Sequence, residues 1–134
     1  MGRRSRQRAR ANGRANSVGG GADALEAPTT DYASPDGHVL TLRGALSPKS
    51  RAAYARTADP AQARAAANLE DVRARAIEFL FERLVVRWTV HEVATEGAKP
   101  LLARFRAATR AERDWVVGVL REHCAEWFPD VKVP

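Results

Sequence analysis

Residues Ile77–Trp88 read IEFLFERLVVRW, apolar at eight of twelve positions. At about 100° per residue, Ile77, Phe81, Leu84 and Trp88 fall within an arc of about 60° and form a core stripe. Val72, Phe79 and Val86 recur every seven residues on nearly the opposite side. Glu78, Glu82, Arg83 and Arg87 occupy the gaps between the stripes. A surface helix has one apolar face, so the pattern predicts a helix covered on both sides. Cover for the second stripe comes from the same chain, through a hairpin or the first helix, or from a second subunit or partner. The latter alternative makes Val72, Phe79 and Val86 a protein interface.

Upstream, Asp59-Pro60-Ala61-Gln62 is a variant of the capping box. An Ala-rich run carries the same pattern on to Trp88, a predicted helix of 29 residues and roughly 43 Å, with Asn68 as a point of interruption. Ser47-Pro48 is an N-cap followed by proline at the first helical position, and it opens a helix through Tyr54 to about Thr57. Before it, TTDYASPDGHVLTLRG (Thr29–Gly44) reads as a β-hairpin. Its tip, Ser34-Pro35-Asp36-Gly37, has proline where φ near −65° is wanted and glycine where a positive φ is tolerated. The arm that follows alternates His38, Leu40 and Leu42 against Val39, Thr41 and Arg43.

Downstream, EGAKPLLARFRAATR forms a shorter helix with Leu101, Leu102 and Phe105 on one side. Thr109-Arg110-Ala111-Glu112 is a capping box of T-x-x-E form, opening a last helix that stops at Phe128-Pro129. Together these elements predict a mainly α fold, a small bundle of about four helices with an N-terminal hairpin over about 30–43. The domain is expected to span residues 30–134, preceded by a disordered basic segment over 1–29. Gly19-Gly20-Gly21 in that segment lacks the Gly-Lys-Ser/Thr of a phosphate loop and reads as a linker.

The chain has 134 residues and a formal net charge of +6, with 19 Arg and only 3 Lys. Arginine and alanine in place of lysine and serine is the imprint of GC-rich, bacterial-type coding. Charge is nevertheless segregated. Residues 1–14 (MGRRSRQRARANGR) hold six arginines and no acid, whereas residues 15–134 hold 16 basic and 16 acidic groups. The body therefore has no net charge with which to attract nucleic acid. Arg3, Arg4, Arg6, Arg8, Arg10 and Arg14 are the candidate contacts to RNA or DNA. Arg3-Arg4 would need a following apolar region to act as an export signal, and ANGRANSVGGGADALEA is not apolar. No stretch reaches the roughly 20 apolar residues of a membrane span. The chain reads as soluble, unexported and cytoplasmic.

One cysteine, Cys124, excludes an internal disulfide and a Cys-cluster metal site. His123 beside it suggests a Cys–His nucleophile, but adjacent helical side chains diverge by about 100°. His38, His91 and His123 include no i,i+4 pair for a metal. Glu78 and Glu82 lie amid Arg75 and Arg83 as a solvated strip of mixed charge. The aromatic residues sit at helical spacing within apolar runs and read as core. Arg104, Arg106, Arg110 and Arg113 form a basic cluster diluted by Glu112 and Asp114. No cofactor, metal or catalytic residue is expected. The chain reads as a non-enzymatic interaction protein. Its helical domain binds a protein partner or itself, and its Arg-rich tail contacts nucleic acid non-specifically. The alternatives are a protein-binding regulator or assembly chaperone with no nucleic-acid role, and thirdly a small enzyme without a recognisable motif.

Overall fold

The structure, a computed structural model, describes residues 27–62 and 68–134. Strands β1 (Thr29–Ala33) and β2 (His38–Arg43) are followed by helix α1 (Pro48–Ala58) and a 3-10 turn at Pro60–Gln62. Helix α2 (Leu69–Leu84) runs directly into β3 (Val85–Val90), which turns back as β4 (Val93–Glu96). Helices α3 (Ala98–Arg106) and α4 (Arg110–Trp127) complete the domain. The four strands form one antiparallel sheet in chain order.

The fold is therefore α+β, which corrects the expectation of a mainly α bundle. The error lies at Leu84/Val85. Val85, Val86, Thr89 and Val90 are β-branched and fit a pleated surface better than a helix interior. A ladder with β2 is available to them, so tertiary pairing overrides the helical period. Ile77, Phe81 and Leu84 do share the core face of α2, and Trp88 reaches the same core from β3. The expected 29-residue helix is also divided at its start. Asn68 caps α2 with a reciprocal capping box, its side chain accepting from the Asp71 N–H at 2.8 Å.

Other local expectations hold. Ser47 caps α1 by accepting from the Ser50 N–H at 3.1 Å, with proline in the first turn. Thr109 and Glu112 form the reciprocal box of α4. Phe128 ends α4 as its C-cap. The first hairpin closes at Ser34–Gly37, where the Ser34 N–H donates to the His38 carbonyl at 2.8 Å.

The helices lie on one side of the sheet. Tyr32 contacts His123 of α4, and Trp88 contacts Phe81 of α2, Arg104 of α3 and Trp115 of α4. On the other side, Asp31, Thr41, Arg87 and Glu96 stand directly opposite one another across all four strands. Thr41 donates to Asp31 at 2.6 Å, and Arg87 pairs with Glu96 at 3.3 Å. This rung is polar from one edge of the sheet to the other. The outer strands are blunted as well: β1 carries Asp31 between Pro28 and Pro35, and β4 has only four residues.

The β3–β4 turn places His91 at φ 47° and Glu92 at φ 71°. Two successive positive φ values suit the twist of a two-residue hairpin, but each strains a non-glycine residue by roughly 1–2 kcal/mol. His91 donates its N–H to the Gly37 carbonyl, and its ring lies where a Cβ on Gly37 would approach to 2.7 Å. The two hairpin tips are thus fitted together. Glu92→Gly should relieve one strained position and stabilise the domain by about 1 kcal/mol. A urea melt showing a lower midpoint would instead reveal a stabilising role for the Glu92 side chain.

Candidate functional site

Arg3, Arg4, Arg6, Arg8, Arg10 and Arg14 lie outside the described residues, as does the rest of the expected disordered segment up to residue 26. Val72, Phe79 and Val86 do not form one helical face. Val72 is buried on α2. Phe79 is half-buried, with the Tyr54 ring of α1 at 6.0 Å and the Arg83 guanidinium over it at 4.4 Å. Cover for Phe79 thus comes in part from the first helix. Val86 is in β3, the extra residue of a β-bulge where Thr41-Leu42 opposes Arg87 and Val85.

The basic cluster of the third and fourth helices is largely paired. Arg104 makes two contacts to Glu112, at 3.3 and 3.4 Å. Arg106 forks onto Glu78 at 2.9 and 3.0 Å. Arg113 donates to the Ala108 carbonyl at 2.6 Å. The Arg106 hydrogen bonds hold the Glu78 carboxyl below its ordinary range. Arg104, with the Thr109 backbone, does the same for Glu112.

A polar and aromatic cluster forms where α4 begins above the sheet. The Trp88 indole N–H donates to His38 Nδ1 at 3.0 Å. Indole nitrogen is only a donor, so Nδ1 holds the lone pair and Nε2 carries the proton of the neutral ring. Nε2 lies 3.7 Å from Glu112 Oε2. The Trp115 ring flanks His38 at 5.6 Å. Such a histidine beside a carboxylate resembles an acid–base pair in outline. Its only lone pair, however, is already engaged by Trp88.

His123 is the second buried histidine. Its Nε2 lies 2.8 Å from the Arg43 carbonyl and its Nδ1 lies 2.8 Å from the Tyr32 hydroxyl. A carbonyl only accepts, so Nε2 carries the proton and Nδ1 accepts from Tyr32. Burial pulls the His123 pKa down, against the Arg43 carbonyl and Glu126, which favour the charged form. Beside it, burial pushes the Cys124 thiol up to about 11 from 9.0. Two units leave about a hundredfold less thiolate than in an unperturbed cysteine. Alkylation by iodoacetamide at pH 7.5 should accordingly run at least about a hundredfold slower in the native protein than in denaturant. Comparable rates would show that Cys124 is accessible and activated.

Among the described residues no group of three or more His, Cys, Asp or Glu could hold a metal ion. No described helix is long and apolar enough to cross a membrane. Among the described residues, the large apolar side chains left to solvent are Val93 at 70%, Leu69 at 51% and Trp127 at 38%. Helical projection groups Trp127 with the core residues of the last helix, and Val93 lies in a segment after Trp88 to which the sequence pattern assigns no element. No family model, curated protein or solved structure matches the chain.

Proposed function

We propose that this chain is a non-enzymatic interaction protein whose folded domain binds a protein partner or a second copy and whose Arg-rich N-terminal segment contacts RNA or DNA without sequence preference. The segregation of charge carries this reading. The whole formal +6 resides in residues 1–14, while residues 15–134 balance 16 basic against 16 acidic groups. Arginine keeps its charge at any physiological pH and forks onto phosphate oxygens, so an acid-free run of six suits a dense polyanion.

The domain's own chemistry supports a binding role. Both buried histidines have each ring nitrogen turned towards a partner inside the fold. The cysteine is held as a buried thiol. A general base needs a free lone pair and a nucleophile needs an activated one. The exposed Val93, Leu69 and Trp127 suit a protein-binding domain, and they suit equally the second reading, a protein-binding regulator or assembly chaperone acting without nucleic acid.

Fluorescence anisotropy with labelled single-stranded RNA and duplex DNA at 50 mM salt distinguishes the two. The full chain should bind both, and a chain lacking residues 1–14 should bind neither. Equal affinity of the two chains would remove the tail as the binding element. Absence of binding by both would leave the protein-binding reading.

A further inference from the structure

Among the described strands, β1 is an edge strand, hydrogen-bonded to β2. It is also the element from which the N-terminal segment departs. Apart from β2, its hold on the domain includes one part-buried bridge, from the Tyr32 hydroxyl through the His123 imidazole to the Arg43 carbonyl. His123 is fully buried. The Tyr32 ring meets it edge-on at 5.6 Å, and Trp127 and Phe128 lie about it at 6.1 and 6.0 Å.

The titratable and charged groups around this bridge are few. From α4, Glu126 faces His123, and Glu122 and Glu126 face Tyr32. Cys124, also of α4, is a neutral thiol with Asp130 of the following segment towards it. From β1 there is Tyr32, whose hydroxyl is held protonated by burial, and from β2 the Arg43 carbonyl. No carboxylate hydrogen-bonds the ring; its two nitrogen partners are a hydroxyl and a carbonyl.

Protonating Nδ1 places a proton where the Tyr32 hydroxyl already directs its own. Tyr32 must then turn its hydroxyl round and find a new acceptor, and a full positive charge remains inside an aromatic surround. Of the elements that meet there, α4 has 18 residues and supplies Val116, Leu120 and Cys124 to the core. β1 has five residues and contributes no fully buried side chain. Departure of β1 is the least costly escape.

We propose that the Tyr32–His123–Arg43 bridge is an acid-sensitive latch that frees β1, and with it the root of the N-terminal segment, as a local unit. The proposal stands whether or not that segment binds nucleic acid. The sign follows from linkage. The closed state keeps His123 neutral and the open state lets it titrate near 6.5, so the latch is fully closed above 6.5 and loosens as pH falls below it. Glu78 and Glu112 are held below 4.5, so their contributions fade only in more acid solution.

Amide hydrogen exchange on the full chain, corrected for intrinsic rates, tests this. Uptake of one proton limits the change to about tenfold between pH 7.5 and 5.5. Protection of residues 29–33 should fall by about that factor while the amides of α4 keep theirs. His123→Gln keeps a donor for Arg43 and an acceptor for Tyr32, and it should abolish the pH response. His91→Gln should retain it. Unchanged protection at 29–33, parallel loss in β1 and α4, or a response that survives His123→Gln would each overturn the latch. If His123→Gln does not fold, the His123 ring resonance in the native protein serves instead. It should keep its neutral-ring position between pH 7.5 and 5.5 while exchange of 29–33 quickens, and a ring that titrates near 6.5 in the closed protein would refute the proposal.

Discussion

Trp88→Ala should lower the thermal midpoint by about 20 °C or more, enough to leave the domain largely unfolded at 37 °C. Trp88 is fully buried and joins four elements. Its ring meets Phe81 of α2 at 6.2 Å and Trp115 of α4 at 6.4 Å, and the Arg104 guanidinium of α3 lies over it at 4.5 Å. Its indole N–H satisfies His38 of β2. Truncating a buried tryptophan costs roughly 3–5 kcal/mol. The orphaned His38 lone pair adds roughly 1–3 kcal/mol. The sum is a large part of the roughly 5–15 kcal/mol that holds a domain of this size together. Trp88→Phe separates the two contributions, since it keeps a ring but removes the donor, and it should lose only the smaller one. Circular dichroism melts of both variants provide the check. A fall of under about 10 °C for Trp88→Ala would mean that the surrounding rings close over the cavity.

Raising salt from 50 to 200 mM should weaken binding of the full chain to duplex DNA by roughly a thousandfold. Six arginines that each neutralise a phosphate give a slope of log K against log salt of about −0.9 × 6, or −5. Single-stranded RNA should give a shallower slope, near −4, because its counterions are less densely condensed. Binding should be indifferent to sequence, since contacts to phosphate position a protein without specifying a base. A slope near zero, or strong preference among sequences, would place the binding elsewhere than in the arginine run. Arg104 and Arg106 of the folded domain are already paired, with Glu112 and Glu78.

Much of the local structure was legible in the sequence, because its causes are local. Ser47 and Thr109 cap helices by bonding backbone groups three residues on, and Gly37 sits at φ 87° where the hairpin tip requires it. Phe128-Pro129 stops the last helix for the same kind of reason: the residue before a proline is driven out of the helical region. The separation of tail charge from body charge needs no fold at all. Ile77–Trp88 behaves differently. A short, almost continuous apolar run satisfies both a helical and an extended period, and the β-branched pair Val85-Val86 is too short a local signal to mark the change at Leu84. Val85–Val90 become a strand because β2 offers them a ladder, and Val86 becomes a bulge rather than part of a helical stripe. Likewise, His38 and Trp88 are 50 residues apart, and Tyr32 and His123 are 91 apart. Capping and turn chemistry act over three or four residues of the chain and can be read along it. Strand pairing and the tautomer of a buried histidine depend on which distant donor or acceptor the fold brings alongside, and that only the tertiary structure decided.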